Sequence, residues 1–149
     1  MIEFTPGDLL ASGADALVNP VNTVGVMGKG LALAFKRAFP DAFRAYAAAC
    51  KNDELRTGVV HIVERKTSPH YIVHFPTKAH WRDPSRIEYV HDGLVDLVRR
   101  VRALRIESIA IPALGCGLGG LEWREVKPLV VSALEPLNDV RVLVFEPRT

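Results

Sequence analysis

Hydrophobic and polar positions along the chain follow two rhythms that alternate. Short apolar, β-branched runs at residues 16–18, 59–63, 71–75, 108–111 and 141–145 have the length of buried strands, and residues 2–4 add a candidate edge strand. Helical patterns lie between them. Residues 31–39 and 42–50 are rich in alanine and divided at Pro40-Asp41, where proline disfavours helix at Phe39 and Asp41 can cap the helix that follows. The run Ser85-Arg86-Ile87-Glu88 has the form of a capping box, and Leu94, Leu97, Val98, Val101 and Leu104 recur at helical spacing, so an amphipathic helix is expected over 86–104. A last helix over 124–134 precedes the final strand. Strands alternating with helices predict an α/β protein, a three-layer α/β/α sandwich with a mixed central sheet. Such sheets bind ligands beyond the carboxyl ends of their strands.

Composition narrows the class without changing this picture. The 149 residues are 48% hydrophobic and 24% charged, as in one ordinary globular domain. At this length folding buries roughly 70% of the surface of the unfolded chain, enough for a core without disulfides or a structural metal. The two cysteines, Cys50 and Cys116, do not make a disulfide framework and fit a reducing compartment. No long apolar segment and no basic leader is present, so a soluble, cytoplasmic protein with no membrane partner is expected. No linker or repeat divides the sequence, which is read as one domain over residues 1–149, compatible with a further C-terminal domain in a longer protein.

Net charge is only +2, too small to mark a nucleic-acid binder by bulk electrostatics. Residues 78–105 nevertheless carry seven basic side chains against four acidic ones. The arginines at 99, 100, 102 and 105 in this segment have the spacing of a solvated helix face.

Two glycine-rich loops stand where ligands are expected. Gly25-Val26-Met27-Gly28-Lys29-Gly30 follows the second strand, Gly115-Cys116-Gly117-Leu118-Gly119-Gly120 follows the fifth, and both lead towards helices. Glycine lets backbone N–H groups surround anionic oxygens and a helix start adds partial positive charge, so the pair could hold a pyrophosphate; two tight turns are the plainer reading. The first loop lacks the spacing and the hydroxyl residue of a P-loop, and the second matches G-x-G-x-x-G without the acidic partner a dinucleotide site needs.

Other residues also admit two readings. Asn22 could present its amide to ribose hydroxyls or close an Asx turn. Asp8 could accept from an adenine amino group or cap the turn at Leu9-Leu10. Lys78, at a strand end, could neutralise phosphate, stabilise a departing group as an ammonium, or attack as an amine. Trp81, between His80 and Arg82, could stack on a single-stranded base or be partly buried. Cys116 has no His/Asp pattern and reads as a packing residue. The five histidines show no metal-ligand spacing: His70 and His74, four apart on a strand, would lie about 13 Å apart.

Taken together, Gly7-Asp8-Leu9, Ala16-Leu17-Val18-Asn19-Pro20-Val21-Asn22, the loop 25–30 and Ala113-Leu114-Gly115-Cys116-Gly117-Leu118-Gly119-Gly120-Leu121 resemble the macrodomain superfamily, and the likeness covers almost the whole chain. The resemblance implies an ADP-ribose site. In it Asp8 and the adjacent Leu9 meet the adenine end and Asn22 the distal ribose. Gly28, Lys29 and Gly30 with Gly115, Cys116, Gly117, Leu118 and Gly119 enclose the diphosphate. The run Phe75-Pro76-Thr77-Lys78-Ala79-His80-Trp81-Arg82 resembles the DarG group, antitoxin macrodomains that remove ADP-ribose from thymidine in DNA modified by a DarT-type toxin. That implies Lys78 as the catalytic residue and His80, Trp81 and Arg82 as contacts to ADP-ribosylated single-stranded DNA. Free ADP-ribose would be the product, and neither cofactor nor metal would be needed. Macrodomains that release ADP-ribose from glutamate carry an aspartate after the G-C-G-L run, where this sequence has Gly119. Hydrolysis of modified acidic side chains, and ADP-ribose reading without catalysis, are the rival expectations.

Overall fold

The computed structural model describes residues 1–147. Six strands, β1 (Ile2–Thr5), β2 (Ala16–Asn22), β3 (His61–Glu64), β4 (Tyr71–Lys78), β5 (Ser108–Pro112) and β6 (Arg141–Phe145), form one sheet in the order β1-β6-β5-β2-β4-β3. All neighbours are parallel except β3, which runs antiparallel to β4. The sheet is mixed, as the sequence suggested. Helices α1 (Gly30–Ala38) and α2 (Pro40–Lys51) cover one face, and α3 (Ile87–Leu104) and α4 (Trp123–Leu134) the other.

Each face follows the strand alternation. Ala16, Val18, Val73, Phe75, Ile109, Ile111, Val142 and Val144 point into a core with Val90, Leu94, Leu97 and Val101 of α3 and Val126 and Val130 of α4. Leu17, Ile72, Ala110 and Leu143 point the other way, against Phe35 of α1 and Ala42 of α2. Gly93 sets how closely α3 approaches: a Cβ there would lie 2.4 Å from Phe75 Cζ.

Three local readings are corrected. Helix α2 begins at Pro40 itself, because proline suits the first helical position, and Phe39 is the boundary between the two helices. Asp41 is therefore not a cap; its carboxylate pairs with Arg65 at 3.0 Å, and that hydrogen bond holds it below the usual carboxylate range. Ser85 does not close a capping box either: α3 starts at Ile87 with Arg86 at its N-cap and no side-chain cap, while Ser85 turns towards the loop after β5. Finally, β2 and β4 run past Phe75 and Asn19 through Pro76 and Pro20 to Lys78 and Asn22, with a register shift between Val21 and Asn22. Proline's fixed φ suits extended backbone, and the β2–β5 ladder ends at Leu17 opposite Ala110, before Pro20.

The antiparallel β3–β4 pairing places His61 opposite His74. Their Nδ1 atoms are 3.0 Å apart, and the His74 ring packs on that of Tyr46 with centroids 5.0 Å apart. His74 is fully enclosed, and burial depresses its pKa to about 3, with His61 adding to the effect. In the unfolded chain the same imidazole takes up a proton near its ordinary value of about 6.5, so acid favours unfolding throughout the interval between these values. Stability should therefore be fully retained above pH 7 and fall by roughly 2–3 kcal/mol from His74 alone by pH 4.5. Urea unfolding at both pH values checks this. A His74→Gln variant should lose less between them than the parent, and equal losses would contradict the assignment.

Candidate functional site

Strand order changes direction at β2: the chain proceeds from β2 to β3 and β4 on one side and then crosses to β5 and β6 on the other. The carboxyl ends of β2, β4 and β5 therefore open on a shared crevice. A cleft of about 720 Å³ lies there, lined by the loop after β2, the loop after β5, Thr77 and Lys78 at the end of β4, and Trp81, Arg82 and Ser85 beyond it.

The loop after β2 is shaped by Asn22. Its Oδ1 accepts from the N–H of Val24 (3.1 Å) and of Val26 (3.3 Å), and its Nδ2 donates to Val26 O at 2.8 Å. The Tyr46 hydroxyl lies 2.8 Å from Asn22 O and 2.9 Å from Oδ1 and donates to this pair; burial pushes the phenol well above its ordinary pKa and keeps it a donor. The Asx turn is thus realised, and one N–H of the Asn22 amide remains for a ligand. Met27 is buried beneath the loop, with Asn19 Nδ2 3.7 Å from its sulfur. Beyond it Gly28, Lys29 and Gly30 line the cleft and lead straight into α1. Lys29 at the N-cap makes no side-chain cap, and the first intrahelical hydrogen bond is Leu33 N–H to Lys29 O. The N–H groups of Gly30, Leu31 and Ala32 consequently have no helical partner at the positive end of the helix dipole.

The loop after β5 closes on itself through Leu121 N–H to Gly115 O at 2.9 Å, around a 3₁₀ turn at Gly117–Gly119. Gly115, Gly117 and Gly120 have φ of +75°, +64° and +83°, a region open to glycine and costly for other residues. Ser85 occupies the middle of this loop. Its N–H donates to Gly119 O at 2.9 Å, and a Cβ on Gly119 would fall 2.3 Å from Ser85 Oγ. That hydroxyl is buried and has no partner in the protein. Cys116 lines the cleft, but burial raises its thiol pKa and Sγ only contacts Leu114 O at 3.8 Å, which accords with a packing role rather than a reactive thiolate.

Lys78 joins the two rims. Its Nζ donates to Trp81 O and to Leu118 O, both at 3.3 Å, leaving a third N–H of the ammonium group free. Leu118, in turn, sits over Gly30, with Cδ1 3.6 Å from the position of a Gly30 Cβ. Trp81 is 45% exposed, so the aromatic is not a core residue; the Arg82 guanidinium lies 4.6 Å over its ring and the Arg82 N–H is held by His80 Nδ1 at 3.1 Å.

Some expected residues are elsewhere. Asp8 and Leu9 follow β1 and do not line the cleft: Asp8 Oδ1 accepts from Leu10 N–H at 3.0 Å as an N-cap, and the Leu9 side chain is buried in the core. Gly117 shapes its loop without lining the cleft. The arginines at 99, 100, 102 and 105 sit at the far end of α3, and Arg99 pairs with Asp96 at 2.5 Å. The cationic segment is therefore divided, with only Lys78 and Arg82 in the cleft wall. Among the described residues no three His, Cys, Asp or Glu side chains gather as a metal set. Sequence reading missed Ser85, Thr77 and Tyr46. Only Ser85 gave a signal, and that signal was read as a helix cap.

Residues 18–130 match the macro domain family. A DNA ADP-ribosyl glycohydrolase of Thermus aquaticus is 54% identical over 99% of this chain and 41% of its own length. One of Mycobacterium tuberculosis is 48% identical over 99% of this chain and 42% of its own. The chain thus spans about two fifths of these curated relatives. Among solved structures, the macrodomain of Thermus aquaticus DarG superposes with a TM-score of 0.96 over 99% of both chains. Thermosipho africanus DarTG in complex with ADP-ribose, 40% identical, gives 0.93 over 98% of this chain and 41% of that one.

The fit of Ser85 inside the second loop has a direct test. Gly119→Ala should destabilise the protein by about 1–3 kcal/mol, the usual range for overpacking, and Ser85→Gly in the same chain should recover part of that loss. Thermal unfolding of the four proteins of this cycle measures it. Additive losses would show that the two residues do not share the space.

Proposed function

The chain belongs to the macrodomain family, and we propose that it is a DNA ADP-ribosyl glycohydrolase, removing ADP-ribose from ADP-ribosylated thymidine in single-stranded DNA and so reversing the action of a DarT-type toxin in the cytoplasm. The observation that carries this reading is the position of Lys78 Nζ, hydrogen-bonded to carbonyls on both rims of a cleft that also holds two glycine loops. The parallel with relatives of that name supports it.

On this reading the diphosphate lies between the uncapped start of α1 and the loop 115–120. Backbone N–H groups at Gly30–Ala32, with Gly28 and Lys29 before them, face it from one side; the N–H groups of Gly115 and Leu118 face it from the other, beside Cys116 and Gly119, whose own N–H groups are held by Ala113 O and Cys116 O, with Gly117 holding the turn. Dipoles fixed in this way neutralise an anion without rearranging, and no metal or cofactor is called for. The distal ribose then reaches the free N–H of Asn22 and the end of Lys78. Asp8, next to Leu9, would meet the adenine end through the carboxylate oxygen that the cap leaves open.

Hydrolysis breaks the bond between the anomeric carbon of that ribose and a thymine nitrogen. The electron pair leaves with the base, and water supplies both the hydroxyl that completes free ADP-ribose and the proton that the thymine nitrogen takes up. On this reading the third N–H of the Lys78 ammonium meets the negative charge that develops on the departing base. Trp81 and Arg82 form the outer wall, with His80 supporting both, and an aromatic face with a cation stacked on it suits an unpaired base and its phosphate. Release of ADP-ribose from acidic side chains is disfavoured, because Gly119 brings no carboxylate beside Lys78 and has no space for one.

Replacing Lys78 separates binding from turnover. Lys78→Ala should still bind ADP-ribose by calorimetry while the rate of its release from modified thymidine falls by at least about a hundredfold, the scale of one lost electrostatic stabiliser. Lys78→Arg keeps the charge and should retain part of the rate, whereas attack by a lysine amine would leave it as inactive as the alanine variant. Wild-type turnover in Lys78→Ala would remove the lysine from the reaction.

A further inference from the structure

Seven large hydrophobic side chains are exposed among the described residues, and four of them, Val24, Val26, Trp81 and Leu118, lie on the loops around the cleft. Three of these four line it and would be covered by a ligand seated within. Val24 does not line it. It is 46% exposed, yet its backbone is fixed: its N–H is held by Asn22 Oδ1, and the preceding Thr23 donates twice to Ala79 O, from N at 3.1 Å and from Oγ1 at 2.7 Å. These bonds tie the Val24 turn to the segment that carries Trp81 two residues beyond Ala79. The result is an exposed apolar side chain on a fixed turn, between Asn22 and Val26 that line the cleft and tied through Ala79 to the Trp81 segment.

The charge around the cleft is one-sided. Its lining holds Lys29, Lys78 and Arg82 and no Asp or Glu. A polyanion can therefore lie across it without meeting a carboxylate there.

We propose that Val24 and the Thr23–Ala79 junction form a second base platform beside Trp81, which takes an unstacked nucleobase adjoining the modified nucleotide in single-stranded DNA. The inference rests on the reading of the cleft as a DNA ADP-ribosyl glycohydrolase site and extends its substrate from one nucleoside to at least two consecutive nucleotides. An aliphatic face on a rigid turn accepts any base, so the platform adds affinity for strand length rather than for sequence.

The test compares the full chain acting on ADP-ribosylated thymidine nucleoside with a short single-stranded oligonucleotide bearing the same modified base at its centre. The wild-type protein should show a higher kcat/KM on the oligonucleotide. In Val24→Asp this advantage should shrink about fivefold through KM, the low end of what one base contact contributes, while Val24→Trp should enlarge it. An advantage equal to wild type in Val24→Asp overturns the platform. So does an equal loss on both substrates, which would place Val24 inside the nucleoside site. Failure of the wild-type protein to release ADP-ribose from either substrate instead overturns the functional reading, and the platform with it.

Discussion

Parallel pairing of β4, β2, β5 and β6 is the constraint from which the rest follows. It forces the carboxyl ends of β2, β4 and β5 to one edge and sends the chain in opposite directions from β2, so that three connections must leave the sheet beside one another. Those connections cannot all be helices packed on a face. Two become glycine turns, and the third, after β4, becomes the Trp81 segment that runs to α3. The buried layers on either side, with Gly93 against Phe75 and Phe35 against the opposite face, hold the strand ends rigid beneath them.

The three connections are then fixed to one another and to the helices. Asn22 shapes the first loop while Tyr46 of α2 shapes Asn22. Ser85, in the segment before α3, fills the second loop, and Thr23 fastens the first loop to Ala79. Lys78 closes the circuit by reaching carbonyls in both the second loop and the Trp81 segment. Preorganisation of this kind is what a site for a flexible dianionic ligand needs, because the donors are already aimed before the ligand arrives. Within that circuit the buried Ser85 hydroxyl has no hydrogen-bond partner.

The architecture was legible because apolar runs and helical spacing report burial residue by residue. The loops that frame the cleft were legible where glycine is required by backbone conformation, as at Gly115, Gly117 and Gly120, and the family resemblance marked Lys78, which lines it. What the sequence concealed was pairing across distance. Nothing local in Ser85-Arg86-Ile87-Glu88 distinguishes a capping box from a serine committed to Gly119, and the His61–His74 contact exists only because β3 runs antiparallel to β4. Pro20 and Pro76 hid the last residues of two strands, since proline ordinarily ends a central strand, and with them the adjacency of Asn22 and Lys78. The cationic run 78–105 is likewise not one surface. A helix of 18 residues carries its two ends about 27 Å apart, so charges close in sequence serve opposite poles of the domain.

On the proposed reading two loops converge on one anionic ligand. Titrating the isotopically labelled protein with ADP-ribose and following backbone amide resonances tests that convergence directly. Shifts concentrated at Gly30–Ala32 and at residues 115–119, saturating together at one ligand per chain, are the predicted result. Shifts in only one loop, or at the far end of α3 around Val95 and Arg102, would contradict it.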